Sequence, residues 1–175
     1  MRRLMMFPKP NFTYMNQLLK TNPEKRTAIY RVPVDVILSL RHRLLRAGLP
    51  PESAQFKGDD DLSTWHIALF HPTPLEDNTP PVCCASFMFN SYKSEPAWQL
   101  RGMCTDALHQ GCGFGVLLLK TAEEALIADS AIRLFWCNAR MPAVSFYEKQ
   151  GWNIDSEVFD IPTAGPHCKM CKRIL

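Results

Sequence analysis

Three glycines alternate through Gln110-Gly111-Cys112-Gly113-Phe114-Gly115, directly ahead of an apolar helical pattern. Glycine lets a backbone turn sharply and lets its N–H groups approach a bulky anion with no Cβ in the way. The helix that follows carries Leu118, Ala122, Ala125 and Leu126 on its apolar face, and adds unpaired N–H donors and the positive end of its dipole. A diphosphate is the ligand this chemistry suits. The spacing matches neither common phosphate loop. The third glycine falls too early for G-x-G-x-x-G, and Lys120 lies well inside the helix rather than in a G-K-[ST] ending. Taken alone, the loop is equally compatible with a tight turn of purely structural use.

Other reactive side chains carry less. His167, Cys168 and Cys171 include only one C-x-x-C pair, whereas structural zinc generally takes four ligands, so no metal is expected. The run Gly58-Asp59-Asp60-Asp61 lacks the glutamate and spacing of an EF-hand and reads as a solvated turn, the alternative being an acidic loop able to attract an amine. The seven cysteines are an odd number, two of them adjacent, mostly within apolar runs. They read as reduced thiols in a cytoplasmic interior rather than a disulfide framework. A formal charge of +3 with no run of five basic residues argues against nucleic acid as a partner. Pro8 cuts the first apolar stretch too short for a signal sequence, and no stretch approaches the ~18 apolar residues of a membrane span.

These residues need elements to position them. The chain of 175 residues fits one domain, with 46% hydrophobic and 21% charged residues. Residues 1–26, with Pro8, Pro10 and Pro23, read as an extension holding a short helix near 14–20, and 27–175 as the domain proper. A strand fits 27–32, followed by a helix from Pro33 that Gly48 and Pro50 stop. Val36, Ile37, Leu40, Leu44 and Leu45 form its apolar face, and Arg41, Arg43 and Arg46 are assigned to a solvated face. Strands follow at 64–71, 82–92 and 97–105, then a helix over 114–128, a strand at 133–138, a helix at 142–150, and strands at 152–159 and 167–174. Trp65, Trp98, Trp136 and Trp152 lie in strand-like runs and read mostly as core. The order implies an α/β (α+β) fold, a mixed sheet with helices on both faces.

The segment Ala143-Val144-Ser145-Phe146-Tyr147-Glu148-Lys149-Gln150-Gly151-Trp152 resembles the A-x-x-[FL]-Y-x-x-x-G-[FW] signature of the GCN5-related N-acetyltransferase (GNAT) family. Residues 110–115 match that family's [QR]-x-x-G-x-[GA] loop, in the expected order and at the expected distance. The tail Phe159-Asp160-Ile161-Pro162 with Gly165-Pro166-His167 is similar to the ElaA-like branch. The resemblance covers roughly residues 27–175. It implies a mostly antiparallel, twisted sheet splayed at its centre, with acetyl-CoA as co-substrate lying in the splay.

Carried over by position, the resemblance implies main-chain pairing of the pantetheine arm with Cys104 and Thr105. Pyrophosphate contacts would come from Gln110, Gly111, Cys112, Gly113, Gly115 and Val116, with Cys112 contributing backbone rather than a nucleophile. Tyr147 takes the place of the tyrosine that protonates the departing thiolate. Arg140 stands where many relatives have asparagine, free to hold a phosphate or the pantetheine amide, or to face an acidic acceptor. No glutamate occurs on 98–103, where several relatives place one, so the base is sought among His167, Glu95, Asp160 and water.

The resemblance implies an N-acyltransferase moving an acetyl group to a primary amine of a small molecule or peptide, in a ternary complex. The alternatives are a non-catalytic acyl-CoA-binding module on the same fold and a nucleotide-binding protein. Acceptor contacts are expected from loops 49–63 and 90–97, and a homodimer is left open.

Overall fold

A computed structural model describes residues 17–73 and 79–175. Nine strands form one sheet: β1 (Gln17–Asn22), β2 (Thr27–Val32), β3 (Trp65–Phe70), β4 (Cys83–Tyr92), β5 (Glu95–Thr105), β6 (Leu134–Arg140), β7 (Asn153–Ile154), β8 (Phe159–Ile161) and β9 (Gly165–Arg173). Their order is β1-β2-β3-β4-β5-β6-β9-β7, with β8 also paired to β9. Every pairing is antiparallel except β5 with β6. The helices α1 (Asp35–Leu45), α2 (Phe114–Asp129) and α3 (Val144–Glu148) complete the fold.

Strand β3 shows why the sheet is covered on both sides. All six of its residues are buried, a run apolar but for His66 and of the kind that packs on two faces. Ile67 and Leu69 join the cluster that includes Leu118, Leu119, Ala122 and Leu126 of α2. Ala68 and Phe70 join Val36, Ile37 and Leu40 of α1 on the other face. Burial of each such leucine contributes about 1.5–3 kcal/mol, which holds α2 rigidly behind the glycine loop.

Several expectations change. The segment expected as a helix near 14–20 is a strand from Gln17 onward, and its first residues lie outside those described. Pairing with the otherwise open edge of β2, and packing of Leu19 on the α2 cluster, override the local preference. The helix expected at 142–150 is split into a 3-10 turn, Met141–Ala143, and the short α3. The strand expected at 152–159 survives only as β7 and β8.

Arg41 does not lie on a solvated face: it is fully buried and ion-pairs with Asp59, itself buried rather than part of a solvated turn. Its guanidinium also donates to Ala54 O and Ser86 Oγ. His66 Nε2 lies 2.9 Å from Asp59 O, so that nitrogen carries a proton and Nδ1 accepts from the Ser86 hydroxyl at 2.7 Å. Burial lowers the His66 pKa, against the opposing bond to Asp59 O, consistent with a neutral ring.

Candidate active site

The splay begins at a bulge. Cys84 faces Cys104 and Ser86 faces Arg101, so Gly102 and Met103 of β5 stand opposite the single Ala85 of β4. Gly102 has φ +57°, and a Cβ there would lie 2.7 Å from Arg41 Nε and 2.9 Å from the Phe56 ring. No other residue type fits without displacing them. Parallel pairing of β5 with β6 runs only from Trp98–Phe135 to Leu100–Cys137. Beyond it the strands part, and two cavities open between their ends.

The larger cavity, about 660 Å³, is lined by Cys104, Thr105, Gln110, Gly111, Gly113, Gly115, Val116, Arg140 and Tyr147. Cys112 is exposed outside this wall, and its carbonyl accepts from Lys25 Nζ at 3.3 Å. The first intrahelical bond of α2 runs from Leu117 N–H to Gly113 O, leaving the N–H groups before it without a helical acceptor. Gly113, at φ +77°, is the N-cap and supplies no side chain to satisfy them. These donors, the α2 dipole and the Lys25 ammonium suit the pyrophosphate of coenzyme A. The Gln110 amide donates to Thr105 O at 3.2 Å, bracing the loop against the end of β5.

The smaller cavity, about 220 Å³, shares Met103, Arg140, Ala143 and Tyr147 with the first and adds His167. The phenol of Tyr147 is thus reached from both sides. Its ring packs on Phe146 and Trp152, with centroids 5.1 and 5.5 Å apart, while its hydroxyl, among the described residues, meets only Met103 Sδ at 3.7 Å. Burial first, then the thiols of Cys137, Cys83 and Cys104, push the Tyr147 pKa well above the usual phenol value, so the group stays protonated. Trp152 fixes the C-terminal end of α3 by donating Nε1–H to Glu123 at 3.0 Å. The nearby thiols are not poised as nucleophiles. Burial pushes Cys83 up to about 12, and Cys104 is held protonated by its contact with Cys84 Sγ and by burial.

The chain matches the sequence profile described as the Acetyltransferase (GNAT) family over residues 40–152. It is 34% identical over 149 residues to the uncharacterized N-acetyltransferase YitI of Bacillus subtilis, covering 82% of this chain and 93% of that protein. The chain belongs to the GNAT acetyltransferase family. It is accordingly an acetyl-CoA-dependent acetyltransferase. Similar folds include Escherichia coli ElaA, with TM-score 0.58 and 18% identity over 79% of this chain and 88% of that one. An aminoglycoside 6'-N-acetyltransferase complexed with coenzyme A gives TM-score 0.62 and 14% identity, over 84% of this chain and 97% of that one.

Of the base candidates His167, Glu95 and Asp160, His167 lines the smaller cavity and the other two line neither. His167 is buried, and its Nδ1 lies 2.7 Å from Gly165 O. A carbonyl can only accept, so the neutral ring carries its proton on Nδ1 and its lone pair on Nε2. Glu95 is bound through both carboxylate oxygens to Arg173, at the opposite end of β5 from the bulge. The loop expectation is also narrowed: Phe56 represents 49–63 in the smaller cavity, and 90–97 reaches neither.

Sequence reasoning did not single out Lys25 or Arg101, and it set Arg46 on a solvated face. Lys25 comes from the β1–β2 turn and meets a loop 87 positions away in the chain, a pairing no local pattern signals. Among the described residues no helix is long and apolar enough to cross a membrane, and no cluster of three metal-ligating side chains occurs.

Proposed function

We propose that this acetyltransferase moves the acetyl group directly from acetyl-CoA to a primary amine held in the smaller cavity. The observation that supports this most strongly is the meeting of two cavities at Tyr147, whose hydroxyl has no oxygen or nitrogen partner among the described residues. The larger one takes the pantetheine arm along Cys104 and Thr105. The N–H groups at the start of α2, with Gln110 and Lys25, take the phosphates.

In the ternary complex the amine nitrogen attacks the thioester carbonyl, forming the C–N bond as the C–S bond breaks. The proton lost from nitrogen passes to His167 Nε2, directly or through a water. The departing thiolate receives a hydrogen bond from Tyr147. Because its pKa is raised, the phenol stabilises thiolate character by donation more than by complete proton transfer. Holding donor and acceptor together supplies much of the acceleration. A volume of about 220 Å³ is that of about seven waters, so the reacting end of the acceptor is small.

The test is thiol release from acetyl-CoA against a panel of amines, with wild type compared to His167→Ala. The variant should lose turnover at neutral pH more than it raises the acceptor KM. Full turnover in it removes His167 as the base. Binding of acetyl-CoA with no thiol release on any amine leaves a non-catalytic binding module instead.

A further inference from the structure

Among the described residues, the smaller cavity is lined by positive charge and by no acidic side chain. Arg46, Arg101 and Arg140 all line it. Among the described residues no carboxylate lies within 4.0 Å of any of the three, although Arg41, Arg43 and Arg173 each have one. Arg101 Nη1 donates to Lys57 O and Arg140 Nη2 to Leu45 O, both neutral backbone acceptors. The Nε of Arg46 is buried with no hydrogen-bond partner.

Phe56 gathers this cluster. Its ring centroid lies 4.4 Å from the guanidinium carbon of Arg41, 5.1 Å from that of Arg46 and 5.3 Å from that of Arg101. The field of Asp59 reaches Arg101, but its carboxylate is bonded to the buried Arg41 and offers no direct partner. Burial first, then the like charges of Arg140 and Arg41, pull the Arg46 pKa down. Crowded guanidinium groups without a counter-ion cost free energy in the empty protein, and an anion seated among them relieves it. Their planar N–H forks match the oxygens of a carboxylate or phosphate in a way a lysine would not.

We infer that the acceptor is an amine that also bears a carboxylate or a phosphate, seated against Arg46, Arg101 and Arg140 with its amine directed towards Tyr147. The same field disfavours polycationic acceptors such as polyamines. This inference rests on the acetyl-transfer reading above and names the substrate class of that site.

The experiment uses acetyl-CoA at saturation and acceptors matched in all but charge. L-amino acids are compared with their carboxamides, 2-aminoethyl phosphate with ethanolamine, and spermidine is the cationic control. The anionic member of a pair should exceed its neutral partner in kcat/KM by about tenfold or more, and which pair does so identifies the anion. Arg46→Gln and Arg101→Gln should each lower that advantage by about tenfold and leave the KM for acetyl-CoA unchanged. No hydrogen bond among the described residues ends on the Arg46 guanidinium, so Arg46→Gln carries the test if Arg101→Gln fails to fold.

Equal or better turnover of neutral or cationic amines overturns the inference, as does an unchanged preference in Arg46→Gln. If no amine is acetylated, the transfer reading fails. The charge assignment is then judged by calorimetric titration of CoA-saturated protein with 2-aminoethyl phosphate and with amino acids. Saturable binding that Arg46→Gln abolishes upholds the anion site, and absence of binding overturns it.

Discussion

Replacing Tyr147 with phenylalanine separates chemistry from packing because of where its hydroxyl lies. The ring is buried against Phe146 and Trp152, contacts that phenylalanine keeps. The hydroxyl loses only a long contact to the Met103 thioether, 3.7 Å away. A full neutral hydrogen bond contributes about 0.5–1.5 kcal/mol, and this weaker one should sit at or below the lower end. For a chain of this length, that is a melting shift of no more than about 2 °C. Turnover should behave differently. A positioned hydrogen-bond donor to developing charge accelerates a reaction by about 10²–10³-fold, equivalent to roughly 3–4 kcal/mol of barrier. Tyr147→Phe should therefore melt like wild type, keep its KM for acetyl-CoA, and lose kcat by that factor in a thiol-release assay. Because the phenol's pKa is raised well above its usual value, wild-type turnover should show no loss from Tyr147 ionisation up to about pH 10. Undiminished kcat refutes the hydrogen bond from Tyr147 to the departing thiolate. A melting drop beyond about 4 °C makes the hydroxyl structural instead.

Three further outcomes are expected. Gly102→Ala forces a side chain onto a left-handed backbone, at about 1–2 kcal/mol, and drives its Cβ into an Arg41 that its bonds to Ala54, Asp59 and Ser86 prevent from moving away. Loss of about 3–5 kcal/mol should appear in urea unfolding, and a wild-type midpoint would contradict the assignment of the bulge. Lys25→Ala should raise the KM for acetyl-CoA about two- to fivefold at low salt, with a smaller effect at high salt. Identical KM values at low salt remove Lys25 from the phosphate site. His66 has a folded-state pKa below its unfolded value, so the unfolded chain binds more protons as the solution is acidified. Its contribution is complete above about pH 6.5 and is lost as the pH falls towards the folded pKa, so the melting temperature should decline below that point. A melting temperature that holds steady or rises under acidification counts against a neutral His66.

The donor half of the proposed site could be read from sequence because its determinants are local. The alternating glycines, the helical period of Leu118, Ala122 and Leu126, and the Tyr147 segment each lie within one element and its cap; the glycines and Tyr147 line one cavity, and the three apolar residues anchor the helix behind it in the core. Arg41 was legible too, had spacing outweighed residue type. It stands four residues after Ile37 and four before Leu45, on the apolar side of α1, yet its charge suggested solvent. What no window of sequence contained was the buried acid that balances it, since Asp59 comes from a loop whose composition reads as solvated.

The opening loop is therefore a case of local sequence determining local chemistry. Gln110 to Gly115 specifies a turn, free N–H groups and a helix start, which suffice for a phosphate site. The acceptor side was decided only by the tertiary structure. Arg46, Arg101 and Arg140 come from α1's end, β5 and β6, and line one cavity where β5 and β6 cease to pair, beside the β4–β5 bulge at Gly102. Charges far apart in the chain acquire a shared field only when the fold brings them around one cavity and removes the water between them.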